Sequence, residues 1–187
     1  MKVTRAEAQA NHERVLESAS QLFRQWGFDG VSVNALMQSA GLTRGGFYGH
    51  FESKQQLVIQ SLQLMLEEND HQWQRLAKQG LPSLVNYYLS PDHRDTPQQG
   101  CMLAALNADI SRQQPAVKGL FNSGVSNLMA LLASCAPGGT EQEQKNRATV
   151  WLCILVGALS LSRAVADEQL AEYICQQAIG SILQSKE

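Results

Sequence analysis

The stretch Val31 to Lys54, VSVNALMQSAGLTRGGFYGHFESK, constrains this chain more than any other. Val33, Leu36, Met37 and Ala40 recur at helical spacing, with Ser32 placed to cap the first turn. Gly41 supplies a tight turn. Thr43 then opens a short further helix to about His50, which carries the aromatics Phe47 and Tyr48, and Phe51 follows it. A helix, a glycine turn and a short second helix held by aromatics is the layout of a helix-turn-helix, whose second helix enters a DNA major groove.

The flanking sequence extends this unit in both directions. Val15, Leu16, Ala19, Leu22, Phe23 and Trp26 form one stripe at period 3.6, and Gly27 ends that helix. Downstream, Ser53-Lys54-Gln55-Gln56 reads as a capping box. It starts a long fourth helix whose apolar stripe, Val58, Leu62, Met65, Leu66, Trp73 and Leu76, runs to about Lys78. Such a helix spans roughly 35–40 Å, enough to join a small head to a separate body. Further helices are expected over 81–89, 101–111, 115–135, 142–165 and 167–184, with 90–100 as a charged loop and Pro137-Gly138-Gly139 as a break. No strand alternation of useful length is present. The expected fold is all-α: a head of residues 1–55, with the helix-turn-helix at about 32–51, and a body of residues 56–187.

Charge bears on function through its distribution. The net charge is only −2. Residues 1–55 carry six Lys/Arg against five acids, while residues 56–187 carry nine against twelve. Between Gly41 and Phe51 there is no acid, and Arg44 and His50 are present. Indiscriminate phosphate binding needs a stronger basic field, whereas a specific reader manages with few well-placed cations. The polar stretch 1–11 lacks the apolar region of a secretory leader. Val150 to Val165 is apolar but, at 16 residues, short for a membrane span, so a buried helix is expected. The expected setting is cytoplasmic, with no membrane partner and with reduced cysteines. The four cysteines, Cys101, Cys135, Cys153 and Cys175, show no metal-type spacing. There is no nucleophile–base motif, phosphate-cradling glycine loop or HExxH, so neither an enzyme nor a metal or cofactor site is expected.

The motifs Ala40-Gly41-Leu42-Thr43, Phe47-Tyr48, His50-Phe51 and Lys54-Gln55-Gln56-Leu57 resemble the TetR/AcrR family of bacterial transcriptional regulators. The match covers roughly residues 10 to 60, with a weaker echo at Gly100 to Ala105. The resemblance implies phosphate contacts from Tyr48, His50 and Lys54, and a small core around Phe47 and Phe51. It also implies a ligand pocket among the fourth to seventh helices, with Trp73, Tyr87, Tyr88, Cys101, Met102, Phe121 and Met129 as candidate lining residues. The competing reading of those seven is plain core, because Met and aromatics at helical spacing usually are core.

Several positions can be argued from chemistry alone. Ser32, Thr43, Arg44, Gly45 and Gly46 lie where a reader meets DNA. Arg44 can grip a guanine edge with two hydrogen bonds or a phosphate with one. Gly45 and Gly46 each cost a helix about 1 kcal/mol relative to Ala, a cost that close backbone approach to a groove would explain. Against the family that the motifs resemble, Gly49 departs from the bulkier residue often found there. His12, His71 and His93 read as ordinary surface residues, and Asp92-His93-Arg94-Asp95 as a solvated loop. Cys101 follows Gly100 at a helix start, where free N–H groups could lower its pKa and make it an electrophile sensor; the alternative is a small buried residue. Trp151, Leu155, Ala158, Leu159 and Ser162 form a stripe expected to make a dimer contact. The expected function is a homodimeric repressor that binds a palindromic double-stranded operator and is released by a small-molecule effector. The alternatives are a thiol-triggered regulator using Cys101, or an enzyme or small-molecule-binding protein with no DNA role.

Overall fold

The computed structural model describes residues 4–184 of the chain; Lys2, one of the head's six cations, lies outside them. All regular structure among these residues is helical. Helix α1 (Arg5–Trp26) begins in a capping box between Thr4 and Glu7 and stops at Gly27, whose φ of 72° is favourable only to glycine. Its inner stripe of Val15, Ala19 and Phe23 is buried, and Phe28 folds back edge-on against Phe23. Trp26 was expected on that stripe but is 62% exposed, while Phe28 beyond the helix end is buried against Phe23. The adjoining face of α1 is buried too. Ser20 and Arg24 lie against the body, so a polar face that reads as solvated is a docking face.

Helix α2 (Val33–Ser39) is capped by the Ser32 hydroxyl, which accepts the Ala35 N–H at 3.1 Å. It ends in a Schellman motif: Gly41 N–H donates to Gln38 and Leu42 N–H to Met37, with Gly41 at φ 71°. The next segment, Arg44–Gly49, is a 3-10 turn where the sequence suggested an ordinary short helix, and the Thr43 side chain makes no cap bond. Three glycines in six residues weaken α-helix formation there, and short 3-10 pieces are the usual alternative. Phe47 and Phe51 are buried, and His12 stacks on Phe51 with ring centroids 4.5 Å apart.

Helix α3 (Lys54–Ala77) is capped by Ser53, as the sequence indicated. The reciprocal bond is displaced by one residue: Gln56 accepts the N–H of Glu52 at 2.7 Å. Lining up behind α3 are α4 (Leu81–Tyr88), α5 (Pro91–Asp95), α6 (Met102–Ser111), α7 (Pro115–Ser134), α8 (Glu141–Ala164) and α9 (Glu168–Gln184). The span 90–100 is therefore not a loop throughout. Ser90 caps the His93 N–H and Pro91 presets the first turn, so α5 forms, followed by a 3-10 turn at Pro97–Gln99. Helix α8 is long and apolar enough to cross a membrane by length and composition. Its first turns carry Glu141, Glu143, Lys145 and Arg147, and its inner face is packed against neighbouring helices.

Candidate nucleic-acid interface

The outer surface of the Arg44–Gly49 turn is left unused by the fold. Thr43, Arg44, Gly45, Tyr48 and Gly49 are exposed, Tyr48 at 78%. Arg44 makes no hydrogen bond or ion pair with the described residues. A side chain built on Gly45 or Gly49 would meet nothing within 4 Å, and on Gly46 only the end of Met37 at 3.6 Å. None of the three has positive φ. The folded chain therefore gives no reason for glycine at 45 or 49, whereas a partner pressed against that surface does. Beneath it, Phe47 and Phe51 anchor the turn to the head core, so its exposed atoms are held on a rigid base.

The flanking residues differ in their freedom. Ser32 spends its hydroxyl on the α2 cap. His50 is half-buried with its ring tilted over Phe51. Lys54 is half-buried and donates its ammonium to the Phe28 carbonyl, which ties the start of α3 to the turn after α1. Its remaining N–H groups are left for an outside acceptor.

The body departs further from the sequence reading. Trp73, Tyr88, Cys101 and Met102 are buried, and the void that Trp73, Cys101 and Met102 border measures only about 10 Å³, no more than a single water requires. These residues form core and enclose no ready ligand chamber. Tyr87 is half-buried and accepts a hydrogen bond from Gln72. Phe121 is half-buried on α7, while Met129 sits in a shallow groove between α7 and α8 with the Thr149 hydroxyl 3.2 Å from its sulfur.

His93 is the clearest correction. It is 3% exposed and packed among Trp73, Tyr87 and Tyr88. Nδ1 lies 2.6 Å from the Tyr88 carbonyl, and Nε2 accepts the Cys101 N–H at 2.9 Å, which assigns a neutral ring protonated on Nδ1. Burial lowers its pKa to about 4. Cys101 does open α6, but its thiol is enclosed and faces the buried Tyr88 hydroxyl without reaching hydrogen-bond geometry. Burial raises the Cys101 pKa and outweighs the helix-start N–H groups that would lower it. Cys153 is exposed on α8, although its stretch of sequence is apolar.

Sequence reasoning missed the arginines that organise this corner. Arg24 donates to Ser20, to the Gly100 carbonyl and to Glu68. Arg163 donates to the carbonyls of His93 and Arg94 at 2.6 and 2.9 Å. A side chain on Gly100 would come within 2.9 Å of both Arg163 and His93, so glycine is required there. The Gly100-Cys101 pair was visible in the sequence, but its meaning as a packing point was not.

The expected dimer stripe also points inward. Trp151, Leu155, Ala158, Leu159 and Ser162 are all buried within the protomer, Leu155 and Leu159 completely. A stripe at period 3.6 identifies a buried face without saying what buries it. The large exposed apolar residues of α8 and α9 are Val150, Leu161, Leu170 and Tyr173 among the described residues.

Comparison with known proteins agrees with this architecture. Residues 15–60 match the family model of the bacterial regulatory proteins of the tetR family. The HTH-type transcriptional repressor NemR of Escherichia coli K12 is 24% identical over 136 residues, covering 69% of this chain and 68% of NemR. The HTH-type transcriptional regulator AcrR of Shigella flexneri is 36% identical over 61 residues, covering 33% of this chain and 28% of AcrR. The crystal structure of a TetR transcriptional regulator from Legionella pneumophila superposes over 100% of both chains with a TM-score of 0.79 at 13% identity. The helix-turn-helix head and these matches give residues 15–60 the DNA-binding module of the tetR family of bacterial regulatory proteins, and the whole chain shares the all-helical fold of solved TetR transcriptional regulators.

Proposed function

We propose that the chain works as a homodimeric repressor of a two-fold operator, with residues up to 55 as its reading head and residues 56–187 as its effector and dimer body. The observation that carries this reading is the unused outer surface of the 3-10 turn: an unpartnered Arg44, an exposed Tyr48, and glycines that the fold itself does not require. Thr43, Arg44, Gly45 and Gly46 meet the base edges and nearest phosphates. Tyr48, His50 and Lys54 flank the groove on phosphates, and Ser32 holds the first helix of the motif in register. Dimerisation uses the outward face of α8 and α9 through Val150, Leu161 and Tyr173, which would otherwise leave apolar surface in water. Two heads related by a two-fold axis then meet two half-sites about one helical turn apart.

Release requires an effector that favours the body arrangement incompatible with that spacing. The corner joining Arg24 of α1 to Gly100 and Glu68 is one physical link between body and head, beside the continuous helix α3. A thiol trigger at Cys101 fits less well, because the thiol is enclosed and its pKa is raised. The reading is tested by electrophoretic shift with DNA flanking the protein's own coding region. A discrete shift that survives excess random DNA is expected. No shift, or one lost equally to random competitor, would contradict it.

A further inference from the structure

A cleft of about 780 Å³ opens where α1, the α5–α6 corner and the α8–α9 hairpin meet. Three arginines line it, Arg24, Arg94 and Arg163, and α6 contributes an apolar wall of Ala104, Ala105 and Ala108. Two of these arginines hold donors that the fold leaves unsatisfied. Arg163 Nη1 and Arg24 Nε are buried without an acceptor. An unsatisfied buried donor costs about 1–3 kcal/mol, and more when charged.

The charges around the cleft are unevenly balanced. Arg24 is paired with Glu68 at 2.9 Å, and Arg94 with Asp95 at 2.6 Å. Arg163 has no carboxylate within ion-pair distance among the described residues, and its bonded nitrogens reach only the carbonyls of His93 and Arg94. Glu168 also borders the cleft, so a large polyanion would be repelled at its rim. A single acceptor-only head on a short apolar tail fits these constraints. Guanidinium presents parallel N–H donors that match a carboxylate.

We propose that this cleft binds a small organic monocarboxylate, with its carboxylate on Arg163 and its tail along the alanine wall of α6, and that this chemical class includes the effector. The inference rests on the repressor reading above. It places the ligand beside the corner where Arg24 of the head meets the body, on Arg163 of the helix bearing the proposed dimer face.

Titration of the full-length protein with butyrate, followed by amide chemical shifts and calorimetry, tests this, with butyramide as the uncharged control of the same shape. Butyrate should move the amides of residues 104–108 and 160–166 saturably and bind about tenfold more tightly than butyramide. Butyrate should also weaken operator binding by about tenfold when saturating. Ala108 is exposed, so Ala108→Trp fills the cleft without entering the core and should abolish butyrate binding while leaving the operator shift intact. Arg163→Lys keeps the charge but loses the fork and should weaken butyrate about tenfold. Equal binding of butyrate and butyramide, saturable shifts confined elsewhere, or wild-type binding by Ala108→Trp would overturn the site. Operator affinity unmoved by bound butyrate would overturn its effector role. Either result with the unliganded operator shift intact rejects the cleft alone; loss of the unliganded shift rejects the repressor reading itself.

Discussion

Arg44 and Arg24 are both head arginines, and their surroundings could hardly differ more. Arg44 stands exposed on a glycine-rich turn with no protein partner. Arg24 is 5% exposed and bonded to Ser20, Gly100 and Glu68. A buried guanidinium holding three acceptors fixes how head and body sit together, while an unpartnered one on a rigid base is free for an outside acceptor. The same contrast divides the two faces of α8: Leu155 is fully enclosed, whereas Leu161 is 59% exposed.

The α8 contrast gives the largest expected effect. Leu155→Glu should unfold the protomer, because a carboxylate buried without a partner costs several kcal/mol. Leu161→Glu should leave the protomer folded and separate the proposed dimer. Sedimentation and circular dichroism of both variants check this. A folded Leu155→Glu variant, or a Leu161→Glu variant that still dimerises, would break the assignment of the two faces.

The buried corner makes a prediction about pH. An unfolded histidine titrates near 6.5, and His93 in the fold at about 4. The unfolded chain therefore takes up this proton first as pH falls. Stability is unaffected by His93 above pH ~7 and is lost progressively between ~6.5 and ~4, with about 2 kcal/mol gone by pH 5. His93→Gln retains a donor and an acceptor but does not titrate, so its urea midpoint should fall less than that of the wild type between pH 7 and 5. Equal falls would remove His93 from the acid response.

On the reader surface, Gly45→Ala should raise stability slightly, by up to about 1 kcal/mol, because the new side chain meets nothing and alanine favours a helix. It should nevertheless weaken operator binding. A variant that binds like the wild type would mean that no groove comes close at position 45. The smallest effect concerns thiols. Cys101 should alkylate more slowly than the exposed Cys153 at neutral pH, as mass spectrometry would show.

Much of the head was legible because its signals are local. Ser32, Gly41, Ser53 and the Val15–Phe23 stripe each act within a few residues, and each does what its neighbours imply. The 3-10 form of the reader turn was less legible, since glycines weaken an α-helix without naming its replacement. The body was harder because its decisive contacts are distant. Arg24 meets Gly100, His93 meets Cys101, and Arg163 meets the α5 carbonyls. A polar residue on a helix reads as solvated until the partner that buries it is known. Period alone likewise marked the α8 stripe correctly as buried and assigned it the wrong covering surface.

The central claim is that the outer surface of Arg44–Gly49 reads DNA. The most direct test is the affinity of Arg44→Ala for operator and for random DNA, measured by fluorescence anisotropy under one salt condition. A loss of about 1–3 kcal/mol on the operator, with little change on random DNA, is the predicted result. No loss on either would contradict the account.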